Sequence, residues 1–172
     1  MTDPDAVSGR AAGLDARVLR QAYACFPSGV VSICGLVNTE PVGLVASSFT
    51  TVSIDPPLVS FCIQNDSTTW PRLQPLPRLG LSVLGEAHDA ACRQMSAKAG
   101  DRFAGLVFET TPEGAIFIDG APAWIECSIE DELPAGDHRI VLLRVLALTV
   151  SPAVAPLVFH GSRFASLRQL AA

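Results

Sequence analysis

Four groups of polar side chains in this 172-residue chain are spaced in ways that suit ligand binding. Ser47 and Ser48 set two hydroxyls in tandem within GLVASSFTTVSIDPPL, residues 43–58. Small residues such as Ala46 let a flat molecule approach the backbone, and adjacent hydroxyls can donate or accept at its polar edge. The same run also fits a plain strand entering a Ser/Thr-rich turn. Residues 64–71, QNDSTTWP, form a polar loop entering a short helix. There Asn65, Ser67 and Thr68, with free N–H groups at the helix start, form either an anion site or an ordinary cap. Arg102, followed by Phe103, offers a fixed charge for a phosphate or a surface ion pair. His138 follows Gly136 and Asp137, and the acid either orients the imidazole or caps the turn. His160 could meet a ligand or merely sit at a strand end, and His88, beside Asp89, is expected to face solvent.

Composition limits the partners. The chain is 49% apolar and 17% charged, with a net charge of -5. Such a chain buries a sizeable core and is not disordered. With no basic block, it is not expected to bind nucleic acid or an anionic membrane. The longest apolar run, residues 140–150, contains Arg144 and is too short to span a bilayer. Cys25, Cys34, Cys62, Cys92 and Cys127 form no CxxC pair and no ligand cluster. Their odd number and apolar neighbours fit reduced, mostly buried thiols in a cytoplasmic protein. No signal peptide is expected, because the first residues are polar and partly acidic.

The elements that must position these groups follow from periodicity. Residues 1–14 read as a disordered leader and 168–172 as a frayed tail, leaving 15–167 as a single domain. Leu14, Val18, Leu19 and Ala22 recur at helical spacing behind an Asp15 cap, and Pro27-Ser28-Gly29 reads as a turn. Strands are predicted at 30–37 and 42–49, joined as a hairpin, and at 58–64, 79–84, 116–118, 123–131 and 140–150. A helix is predicted at 86–95, and residues 133–139 read as a turn. Many strands with short turns and few helices predict a mainly β fold, a closed or nearly closed antiparallel barrel with helices at its rim.

In order, Phe26-Pro27-Ser28-Gly29-Val30, Gly43, Ala46-Ser47-Ser48-Phe49, Val52-Ser53, Pro56-Pro57, Gly136-Asp137-His138, Pro156-Leu157-Val158-Phe159-His160 and Arg163-Phe164 span nearly the whole chain. Together they resemble the flavin reductase-like family. The resemblance implies an FMN-binding split β-barrel, Greek-key-like and antiparallel, that works as a homodimer. It also implies FMN or FAD as flavin, NADH or NADPH as reductant, and a partner oxygenase component that receives reduced flavin.

By that resemblance, Ala46, Ser47 and Ser48 meet the flavin ring edge, and Ser28 joins them on the flavin side. Asn65, Ser67 and Thr68 hold the ribityl chain and phosphate, Ser82 lies beneath the flavin tail, and Arg102 with Phe103 lies near the phosphate. His138, with Asp137 behind it, lies by the nicotinamide, with His160 and Phe164 on the same side. Phe159 and Phe164 stand where relatives often carry Tyr, so no phenolic hydroxyl is available there. Leu143 stands where relatives carry a small residue, often Gly, which by the resemblance narrows the pocket or alters the flavin preference. Hydride transfer needs two flat rings stacked in register, with no nucleophile or metal, which suits a chain without HExxH or CxxC. The sequence therefore reads as an NAD(P)H:flavin oxidoreductase. The alternatives are a flavoprotein that keeps its flavin and reduces another substrate, and a non-catalytic flavin-binding module.

Overall fold

The structure, a computed structural model, describes residues 14–168. The expected leader and tail lie almost wholly outside the described residues. Helix α1 (Ala16–Ala24) opens at Asp15, whose carboxylate accepts the Val18 N–H at 2.8 Å, as its cap position predicts. Strands β1 (Ser28–Gly29), β2 (Val31–Val37), β3 (Glu40–Ala46), β4 (Thr50–Ser53) and β5 (Leu58–Gln64) follow. Then come α2 (Trp70–Leu73), β6 (Leu79–Val83), a 3-10 turn at Glu86–His88 and α3 (Asp89–Met95). The remainder is β7 (Phe108–Thr110), β8 (Ile116–Ile118), β9 (Ala123–Ala135), β10 (His138–Val150), β11 (Leu157–His160) and β12 (Arg163–Ser166).

Seven strands form one antiparallel sheet in the order β3-β2-β6-β9-β10-β5-β4. The jumps from β2 to β6 and from β10 to β5 are Greek-key-like crossovers. No ladder joins the two edges, so the barrel is split rather than closed. Across the split, Ser48 stands in for a ladder pair: its Oγ accepts the Cys62 N–H at 2.9 Å and donates to the Cys62 carbonyl at 3.2 Å. A three-stranded sheet, β1-β11-β12, and the β7-β8 hairpin lie beside it.

The apolar pattern explains the layering. Along β2, Val31 and Ile33 enter one core with Leu44, Phe61, Leu81 and Leu143, while Cys34 enters a second with Met95, Phe103 and Ile118. A strand buried on both faces reads as a nearly continuous apolar run, and β2 does so apart from Ser32, which is itself wholly buried.

Several segments differ from or go beyond the sequence-based expectation: β3 ends at Ala46 rather than at 49, β4 and β7 lie where no strand is predicted, and the predicted 86–95 helix opens as a 3-10 turn. Ser28 and Gly29 form β1, paired with Phe159 and Val158, because β11 supplies a partner that no local pattern shows. The 133–139 turn shrinks to Gly136-Asp137, since β9 and β10 are each 13 residues long. Pro134 is tolerated within β9 because that stretch of the strand lies beyond its pairing with β6, leaving one edge free. Residues 157–166 form a hairpin whose Gly161-Ser162 turn has positive φ at both positions, 56° and 60°, which matches the right-handed twist of its strands.

Candidate functional site

Two adjoining clefts run between β3, β5, α3 and the β11-β12 hairpin. They share Val45 and Ser96, and together form one trough. The smaller, of about 180 Å³, is lined by Ala46, Ser47, Val30, Cys92, Phe159 and Phe164. It is narrow and mostly apolar, with the hydroxyls of Ser47 and Ser96. The larger, of about 540 Å³, is lined by Gln64, Ser67, Thr68, Thr69, Lys98 and Arg102 among others, with Asp66 as its one carboxylate. Hydroxyls and cations therefore gather at one end of the trough and apolar walls at the other.

Arg102 is the best-anchored charge in the site. Its Nε donates to the Ala97 carbonyl at 2.9 Å, and its Nη1 to the Gly43 carbonyl at 3.1 Å and to Thr69 Oγ1 at 2.8 Å. Among the described residues no carboxylate lies within ion-pair distance of it, so the alternative of a surface ion pair is not what the structure holds. Gly43 leaves room for the neighbouring Phe103: a Cβ there would meet Cys34 Sγ at 2.5 Å and the Phe103 ring at 2.9 Å. Phe103 itself is buried and packs edge-on against Phe108, so it supports Arg102 from the core.

The loop before α2 is tied at both ends. Ser67 Oγ accepts the Trp70 N–H at 3.1 Å, and Ser67 N–H donates to the Gln64 carbonyl at 3.1 Å. Because α2 is a single turn, the positive character of this end comes from Arg102 and Lys98 rather than from a helix dipole. Asn65 points the other way: its N–H and side-chain amide donate to the Asp137 and Gly136 carbonyls at 3.0 and 3.1 Å. Those bonds fix the β9-β10 turn beside the trough, and His138 pairs with Gln64 across β5. His138 Nδ1 lies 2.7 Å from Asp137 Oδ1, and this contact holds the Asp137 carboxyl below its ordinary range. His138 does not line the trough; it stands at its rim, partly exposed.

Other expected site residues fall elsewhere. Ser82 is wholly buried, and its Oγ accepts the Ile118 N–H at 2.9 Å, anchoring β8 over β6 rather than facing the trough. His160 alternates with Phe159 on β11, so Phe159 faces the apolar end while His160 lines a separate cleft with Arg17, Arg20 and Cys25. Ser28 pairs with Phe159 but lines none of these clefts. His88, expected in solvent, bridges the Gly85 N–H and the Asp119 carbonyl, each at 2.9 Å. Lys98, Thr69 and Ser96 were not anticipated. The signal for Lys98 was its place four residues before Arg102, as the one lysine in the sequence.

The family model described as "Flavin reductase like domain" matches residues 23–168. The chain belongs to the flavin reductase-like family. It is 36% identical over 151 residues to an NADH-dependent FAD reductase of Streptomyces globisporus, covering 85% of this chain and 82% of that one. It is 30% identical over 167 residues to the reductase subunit of a flavin-dependent monooxygenase of Rhodococcus jostii, covering 97% of this chain and 85% of that one. Among solved structures, the S. globisporus NADH:FAD oxidoreductase in complex with NAD and FAD fragments superposes with a TM-score of 0.82 at 37% identity, covering 91% of this chain and 93% of that one. These likenesses agree with a mainly β split barrel of the flavin reductase type. The trough suits a flavin on its own terms, since a flat, weakly polar ring fits the apolar end and an anionic tail fits the end with Arg102 and Lys98.

Proposed function

We propose that the chain is an NAD(P)H:flavin oxidoreductase that hands reduced flavin to a partner oxygenase. The observation that carries this is the single trough with apolar walls at one end and, at the other, a rigidly held arginine that no carboxylate pairs among the described residues. A bound flavin supplies the hydride acceptor. Ala46 and Ser47 offer the ring a close backbone approach and a hydroxyl, and Phe159 and Phe164 wall that end. Thr68, Thr69, Lys98 and Arg102 hold the phosphate, and Ser67 and Asn65 keep their loop in place. Ser48 acts one step back, by fastening the end of β3 to β5. His138 positions the nicotinamide from the rim, oriented by Asp137, since alignment of the two rings is what the reaction depends on. Partner transfer is supported by relatives described as reductase subunits.

Residues 15–167 act as one flavin-binding unit that pairs with a second copy. Support for pairing comes from apolar side chains left in solvent on the sheet: Leu146, Leu148 and Val150 on β10, with Val52 and Ile54 near β4. Light scattering should return twice the chain mass, and a monomer with flavin bound would overturn pairing. The protein works in the cytoplasm, in keeping with five free thiols among the described residues; no helix among those residues is long and apolar enough to cross a membrane.

The deciding assay mixes protein, reduced nicotinamide and excess free FMN or FAD, and follows nicotinamide absorbance. Turnover with free flavin supports the proposal. Oxidation only with another acceptor supports a flavoprotein that keeps its flavin, and none at all supports a binding module.

A further inference from the structure

We propose that this chain takes FAD in preference to FMN, and that Arg72 is a residue that sets the preference. The inference rests on the flavin reading of the trough. Beyond its cationic end lies a second cleft of about 280 Å³. The two share Thr68, Thr69 and Arg102 as a common boundary. FMN ends at its phosphate, so it has nothing to place beyond that boundary. FAD continues there as a second phosphate, a ribose and an adenine.

The lining of the second cleft offers a partner for each of those groups. Arg102, fixed by its bonds to Gly43, Thr69 and Ala97, presents one guanidinium at the boundary, where a pyrophosphate can lie across it. Arg72, on α2, also lines the second cleft. Its one partner among the described residues is Glu40, at 3.3 Å, and both side chains are at least half exposed. Such a pair is weak enough to yield to a phosphate. Asp101 lines the cleft while its Oδ1 accepts the Phe103 N–H at 2.8 Å. A carboxylate there accepts from ribose hydroxyls and disfavours a free terminal phosphate. Pro41 supplies apolar surface for a base.

The test measures FAD and FMN dissociation constants by titration calorimetry for the parent, Arg72→Ala and Glu40→Gln. The parent should bind FAD about ten-fold more tightly than FMN, and Arg72→Ala should weaken FAD about ten-fold while leaving FMN within about two-fold, as for loss of one charge-assisted contact. Glu40→Gln frees Arg72 and should tighten FAD alone, which keeps the proposal testable if Arg72→Ala folds poorly. Equal affinities in the parent, equal losses for both flavins, or an FAD preference that ignores both substitutions would each overturn it. Failure of the parent to bind either flavin is a separate outcome and would overturn the flavin reading itself.

Discussion

Replacing Arg102 separates two roles that the structure gives one side chain. Three of its hydrogen bonds, to Ala97, Gly43 and Thr69, hold together the loop after α3, β3 and the loop before α2. Losing them loosens the trough for any ligand. The guanidinium charge, by contrast, acts only on a ligand that carries a phosphate. Comparing FMN with riboflavin, which lacks the phosphate, removes the first effect. A hydrogen bond to a charged group is worth about 1.5–3 kcal/mol. Arg102→Ala should therefore weaken FMN by about that much more than it weakens riboflavin, a differential of roughly 10- to 150-fold. Arg102→Lys keeps the charge but loses the planar fork, so it should recover part of the differential while still failing to tie Gly43 and Thr69 together. Calorimetric titration of both ligands against all three proteins gives the number directly. Equal losses for FMN and riboflavin would show that Arg102 is only a tie between elements, and the anion would then have to be held by Lys98.

Three further outcomes follow from the same geometry. His138→Ala should leave flavin affinity unchanged but slow flavin reduction or raise the nicotinamide concentration required, with Asp137→Asn weaker in the same direction; stopped-flow traces identical to the parent across a nicotinamide series would remove His138 from the site. Ser82→Ala should cost about 1–3 kcal/mol in denaturant unfolding, because it strands the buried Ile118 N–H, and should not change flavin affinity; a stable variant with weakened flavin would restore Ser82 to the site. Burial pushes the Cys34 and Cys127 thiols up to about 12, so both should resist a thiol reagent at neutral pH until the chain unfolds, while exposed Cys25 reacts at once; fast labelling of Cys127 in the native protein, located by mass spectrometry, would contradict the packing.

Much of this site was legible in the sequence where local chemistry sufficed. Ala46 and Ser47 at a strand end, Ser67 before a proline-bearing helix turn, and the Gly136-Asp137 turn all carry short-range signals, and the structure places them on or beside the trough. What was not legible depends on which elements meet. Ser82 reads as a polar strand residue, and only β8 crossing over β6 shows that it is buried with a backbone partner. Ser48 reads as a ring contact, yet its hydroxyl bridges to Cys62, which is 14 residues away. His160 has the right neighbours in sequence, but strand alternation turns it away from the face that Phe159 presents. Lys98 and Thr69 lie apart along the chain and meet only because Arg102 gathers the loops around it. The β1 strand is two residues long, and nothing within Pro27-Ser28-Gly29 specifies pairing with a segment 130 residues later.

The central claim is that this trough holds a flavin where reduced nicotinamide can reach it. Anaerobic stopped-flow tests it most directly: protein preloaded with flavin is mixed with NADH or NADPH, and the flavin's visible band is followed. The account predicts rapid bleaching whose rate saturates with nicotinamide and is lost with Arg102→Ala protein at a flavin concentration too low to load that variant. Bleaching no faster than that of free flavin with the same nicotinamide, in parent protein shown to be loaded, would contradict it.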